Sequence, residues 1–194
     1  MKKLMIAAAI VCAAAFAQAS QFKWKTNADE EVALPGTSTV LPTGTAYIFA
    51  SSTTGAGAIV LQNALVEAFA AGTLNLASAG ALDVNPDLED GAIATQDAFN
   101  YGADGDNNKF FFAIVAQDAA GNDMLYISTE AAAAGVNGKS TTAKFDEWDA
   151  STAAARDAAG GYAGAGWYTA VPEPTSGLLL LLGVAGLALR RRRA

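Results

Sequence analysis

The chain has 194 residues, a formal charge of −7 from 12 basic and 19 acidic side chains, one cysteine and no histidine. Without histidine there is no Ser-His-Asp or Cys-His nucleophile system and almost no route to zinc, copper or haem ligation. The acidic balance repels nucleic-acid phosphates and anionic lipid headgroups, so neither is an expected partner.

Lys2 and Lys3 precede an apolar stretch from Leu4 to Phe16, and Ala17-Gln18-Ala19 supplies a small-x-small pattern before Ser20. This is the layout of a secretory signal peptide, with residues 1–19 removed at the Ala17, Ala19, Ser20 signal peptidase site after passage through the Sec translocon. Cys12 follows Val11 where a lipoprotein signal needs a small residue, so lipidation is not expected. Since Cys12 leaves with the leader, the mature protein has neither disulfides nor thiolate metal sites. Residues 20–170 then suit one domain whose core needs no covalent staple. Setting aside Lys2, Lys3, Glu173 and Arg190 to Arg193 leaves this segment 6 basic and 18 acidic side chains, a net of −12. The plain reading of that charge is solubility, although such a surface also tolerates divalent cations.

Along the domain, Thr45 to Ala50 follows a Pro42-Thr43-Gly44 turn with β-branched and aromatic residues, and predicts a strand. Ala56 to Ala71 predicts a helix: Leu61, Leu65 and Phe69 recur every four positions, Asn63 and Glu67 fall opposite, and Gly72 ends it. Leu76 to Asp90, with Gly80, Pro86 and four acids, reads as an acidic loop. Phe110 to Ala116 and Met124 to Ser128 predict paired strands joined by a turn over residues 117–123. In the first of these, Phe110, Phe112 and Ile114 face one side and Phe111, Ala113 and Val115 the other, so the strand should be central and buried on both faces. Thr141 to Phe145 suggests a further strand, and Ser151 to Ala159 a short alanine-rich helix closed by Gly160-Gly161. Gly160 to Gly166 resembles a flexible stretch, after which Trp167 and Tyr168 require the chain to pack once more. The expected fold class is α+β: a mainly antiparallel, sandwich-like ectodomain with one or two helices, followed by a short C-terminal transmembrane helix.

Few residues of the chain are candidates for chemistry. Asp104, Asp106 and Asn108 alternate as ligands do in calcium loops, but Lys109 stands where an EF-hand needs glycine and Val115 where it needs a bidentate glutamate. Asp and Asn also dominate ordinary turns, which is the favoured reading here and for Asp118 and Asp123. Trp24, Trp148, Trp167 and Tyr168 are candidates for a sugar-stacking platform, against the plainer reading of core packing. The single Thr37-Ser38-Thr39 triplet does not make an array. No phosphate-cradling glycine loop is present, and nothing selects a carboxylate pair for glycoside hydrolysis. No enzymatic activity, catalytic residue or cofactor is expected.

The C-terminal segment is the most informative. Val171-Pro172-Glu173-Pro174-Thr175-Ser176 precedes an apolar run over residues 177–189 and the cluster Arg190, Arg191, Arg192, Arg193. Thirteen helical residues make roughly 20 Å against about 30 Å of hydrocarbon. The arginines fix their end in the cytoplasm, and prolines at 172 and 174 keep the segment before the helix extended. A tail anchor with a Pro-rich neck is the plain alternative to a processing signal. The three-part order resembles the PEP-CTERM sorting signal of exosortase substrates, a tail class also labelled after ice-binding proteins. The order of features in residues 45–174 is similar to that of small PEP-CTERM precursors.

That resemblance implies recognition and cutting near the motif by exosortase, a membrane enzyme with a cysteine nucleophile. It implies an inner-membrane-tethered precursor, then a protein at the cell surface or outside the cell. The expected organisation is a signal peptide (1–19), an extracytoplasmic domain (20–170) and a sorting tail (171–194). The expected function is that of an exported structural protein of the cell surface or extracellular matrix, in contact with extracellular polysaccharide. The alternative is a small glycan- or calcium-binding module.

Overall fold

The computed structural model describes residues 19–170 apart from 28–29, 52–56, 95, 103–106, 119 and 137–138. Its elements in chain order are β1 (Ser20–Thr26), β2 (Thr43–Ser51), α1 (Gly57–Ala70), β3 (Asp83–Glu89), β4 (Phe99–Tyr101), β5 (Asn107–Gln117), β6 (Asp123–Ile127) and β7 (Ala131–Ala134). They continue with β8 (Ser140–Phe145), α2 (Trp148–Thr152), β9 (Arg156–Asp157) and β10 (Gly166–Thr169), with single 3-10 turns at Leu76–Ser78 and Ala158–Gly160. The described residues are thus mostly strand with two α-helices, as an α+β reading expects. Among them no helix is long and apolar enough to cross a membrane. The apolar run expected to do so lies outside the described residues.

The apolar pattern of β5 organises everything else. Phe110, Phe111, Phe112, Ala113 and Ile114 are all fully buried, and a strand loses both faces to the core only when layers cover it on both sides. The larger sheet runs β3-β2-β5-β6-β10-β9, and a three-stranded sheet of order β4-β1-β8 lies over one face. Phe110, Phe112 and Ile114 join Ile48, Tyr126 and Trp167 of the large sheet and Phe22, Trp24 and Phe145 of the small one in the inter-sheet core. The alternate residues Phe111 and Ala113 join Phe49, Leu125, Ile127 and Tyr168 under Leu65, Val66 and Phe69 of α1. The period of two along the strand therefore sorts side chains between two cores. Val115, expected inside, is 40% exposed, because it lies towards the end of β5.

β6 and β7 pair in succession along one edge of β5, with Ala113 opposite Ile127 and Phe110 opposite Ala131. One extra residue is therefore accommodated between them. Ser128 absorbs it: its Oγ accepts the Phe112 N–H at 2.8 Å while its own N–H reaches the Phe112 carbonyl at 2.9 Å. A side chain thus supplies the acceptor that the ladder loses at a bulge.

Several elements differ from the sequence expectation. The presumed acidic loop contains β3, an edge strand in which Leu88 and Asn85 are buried while Val84 is exposed. Pro86 fits there because an edge strand leaves one row of amides unpaired. The helix expected over 151–159 is instead α2 at 148–152, after which the chain extends into β9. Strands pair mainly antiparallel, but β1 with β8 and β9 with β10 are parallel. β1, β4 and β7 were not anticipated. α1 matches its prediction closely: Leu65 and Phe69 are buried, and Gly72 takes a left-handed φ of 66° with its N–H on the Phe69 carbonyl.

Candidate functional site

Two features of the described residues stand apart from ordinary packing. The first is Glu147, a fully buried carboxylate just before α2. Tyr126 Oη donates to its Oε2, Thr129 Oγ1 donates to Oε1 at 2.7 Å, and the Thr129 N–H reaches Oε2 at 3.3 Å. Burial pushes the Glu147 carboxyl up to about 7; the Tyr126 and Thr129 hydrogen bonds oppose this, and Asp146 reinforces it. Burial, followed by the facing Glu147, raises the Tyr126 phenol well above its ordinary value. The carboxyl anchors the end of β8 and the start of α2 to β6. Neighbouring bonds tie in the segment after β1: the Trp148 N–H donates to Glu30 Oε2 at 2.9 Å and the Ala33 N–H to Ser151 Oγ at 2.9 Å. Glu147 and Tyr126 are fully buried and Thr129 partly so, and the cluster acts as an internal fastening.

The second feature is the last strand. Trp167 and Tyr168 are fully buried, on opposite faces of β10. The indole Nε1 of Trp167 donates to the Ala33 carbonyl at 2.7 Å, and Tyr168 Oη accepts the Ala163 N–H at 2.9 Å. Thr169 is opposite Met124 of β6 on one side and Asp157 of β9 on the other. Arg156 fixes the approach to the strand by donating from one terminal nitrogen to the Gly164 and Ala165 carbonyls at 3.0 and 2.7 Å. The next residue, Ala170, is exposed and outside any strand.

Against this geometry the expected site residues fall unevenly. The sorting motif Val171, Pro172, Glu173 and Pro174, the Arg190 to Arg193 cluster, Cys12 and Ala17 lie outside the described residues. Ala19 is exposed, and Ser20 opens β1 as a buried residue. Asp104 and Asp106 also lie outside, while Asn108 belongs to β5, where it is buried opposite Ala133. Asp118 is committed to its own turn: its Oδ1 accepts the Ala120 and Asn122 N–H groups at 2.8 Å each. The Asn122 side chain, more than those amides, holds its carboxyl below the usual range. Among the described residues no group of three acids, cysteines or histidines could hold a metal ion.

Of the proposed aromatic platform, Trp24, Trp167 and Tyr168 are inside the two cores and only Trp148 is partly exposed. The indole nitrogen of Trp24 donates to Asp83 at 2.8 Å, as a buried indole requires. Thr37, Ser38 and Thr39 form one exposed turn, in which Thr37 Oγ1 caps the Leu34 carbonyl at 2.9 Å. Sequence reasoning missed Glu147 because nothing in its neighbourhood distinguishes it from Asp146 and Asp149. The only signal available was its place between a strand pattern and Trp148.

Residues 170–193 match the family model of the PEP-CTERM protein-sorting motif. Comparison with curated proteins and with solved structures gave no match. The tail is therefore a PEP-CTERM sorting signal, which implies an exosortase as sorting partner and an exported protein. The motif begins at the residue that follows β10.

Proposed function

We propose that residues 20–170 form an exported structural domain of the cell surface or extracellular matrix, without catalysis of its own, which an exosortase sorts through residues 171–194. The observation that carries this reading is the sorting motif at residues 170–193, directly behind the last strand of the domain. In this account, Sec export and signal peptidase leave Ser20 as the first residue. The apolar run and Arg190 to Arg193 hold the precursor in the inner membrane, and the enzyme cuts near Pro172-Glu173-Pro174 to pass the domain to the cell surface. Contact with extracellular polysaccharide would follow from that location. The interior also favours a structural role over a glycan-binding one: the aromatic rings that could stack on sugars are committed to the cores, as with Trp24, Trp167 and Tyr168.

Replacing Pro172, Glu173 and Pro174 by alanine tests the proposal. The full-length precursor should then accumulate in the inner membrane, since the stop signal persists while the enzyme loses its grip. Deleting residues 172–194 should instead release the domain untethered. An alanine variant that reached the surface shortened like the wild type would contradict the reading.

A further inference from the structure

The junction between β10 and the motif restricts where the tail can be cut. A processing enzyme binds its substrate as extended chain, whose amides and carbonyls must be free to pair with the enzyme. Tyr168 and Thr169 have none to spare. Each is flanked by β6 and β9 at once, with Leu125 and Arg156 opposite Tyr168 and Met124 and Asp157 opposite Thr169. Their side chains and that of Trp167 hold the strand from both faces: Trp167 is locked to the Ala33 carbonyl and Tyr168 to the 163–164 turn. Ala170, exposed and outside the sheet, is the first residue with its backbone available.

The reach is short as well. Thr169 and Pro172 are three residues apart, so Pro172 is no more than about 11 Å of chain from the sheet, and residue 177, where the apolar run starts, no more than about 29 Å. The end of the sheet beside this exit carries Asp123 and Asp157, both exposed. Anionic headgroups do not attract such a surface.

We infer that the folded domain sets the upstream limit of the sorting cut: β10 stays docked during processing, the exosortase engages the chain only from Ala170 onward, and the whole of β10 remains on the mature protein. This rests on the sorting reading above. The step breaks one peptide C–N bond beyond Thr169. The carbonyl carbon passes to the enzyme's thiolate and then to water or an amine, while the new amino terminus leaves with the apolar tail and takes up a proton. Trp167 and Tyr168 are positioning residues, acting through the strand they anchor.

The test is to map the C-terminal peptide of the processed protein by mass spectrometry and to repeat the mapping with β10 locked. Met124→Cys with Thr169→Cys places two thiols at directly opposed positions in a mature domain that otherwise has none. Opposed antiparallel residues are within disulfide range. A cut that required strand opening would track the open population and vanish when the lock closed, whereas the proposal expects processing of the oxidised pair within about twofold of wild type. The expected C-terminal peptide contains Trp167-Tyr168-Thr169-Ala170. A C-terminus at or before Thr169, or a lock whose closure stops processing and whose reduction restores it, overturns the inference. If the double variant loses its cooperative melt, the wild-type C-terminus decides alone. Arg190 to Arg193 retained in both proteins would overturn the sorting reading itself and this inference with it, an outcome distinct from a cut placed too far upstream.

Discussion

Glu147 should make the stability of the domain fall as pH rises through the neutral range. The carboxyl titrates near 7 when folded, chiefly because burial penalises its charge, against an ordinary value of 4.5. The folded state thus holds the proton more tightly than the unfolded chain. Its contribution is fully present below about pH 4.5 and is lost progressively until pH passes about 7. A difference of that size is worth about 3 kcal/mol, which in a domain of this length is a fall of roughly 6–12 °C in melting temperature. The assay is a series of calorimetric melts of residues 20–170 between pH 4.5 and 8.5, on wild type and Glu147→Gln. The glutamine amide imitates the neutral carboxyl, so the variant should hold a nearly constant melting temperature across the window and exceed wild type at pH 8. A wild type that melts at the same temperature at pH 5 and pH 8, or a glutamine variant that keeps the full decline, would refute this role for Glu147. Tyr126, whose phenol is raised by burial and by Glu147, should add a separate loss above pH 10. Asp118 has the opposite sign, because its lowered value makes its contribution disappear as pH falls through the folded value.

Ser128→Ala should cost about 1–3 kcal/mol in urea unfolding, since it strands the buried Phe112 N–H at the β6–β7 bulge. The slope with denaturant should not change. At Gly91, φ is 70° and an added Cβ would lie 2.6 Å from the Val32 carbonyl oxygen. Gly91→Ala should therefore cost at least about 2 kcal/mol by the same measurement, whereas Gly36→Ala, with open space around it, should cost about 1–2 kcal/mol for the left-handed backbone alone. Reductant should leave the melt of residues 20–170 unchanged, because the segment has no cysteine.

The sequence was most legible where periodicity and composition agreed. β5 announces both buried faces through five consecutive apolar residues, and α1 shows its inner face through Leu65 and Phe69 and its end through Gly72. β1 carried a readable alternation, with Phe22, Trp24 and Thr26 buried and Lys23 and Lys25 less so. Its position soon after the apolar run of residues 4–16 obscured it. β3 was hidden by Pro86 and its acids, which only an edge strand accommodates. Ala131 to Ala134 has no strand propensity of its own and becomes β7 because β5 offers an unpaired edge.

The alanines after α2 favour helix by propensity. There Arg156 is drawn instead into β9, with its guanidinium on the Gly164 and Ala165 carbonyls. Glu147 was illegible because its burial depends on Tyr126 and Thr129, residues 21 and 18 positions away. The tail was legible because its three parts are consecutive in the chain and need no fold to be recognised.

The intact mass of the protein recovered from the cell surface or medium of the native host, with and without its exosortase, decides whether residues 171–194 are a processing signal. The surface species should begin at Ser20 and lack Arg190 to Arg193, and without the enzyme a membrane-bound form should keep the whole tail. Surface protein that still carries Arg190 to Arg193 would contradict the processing reading.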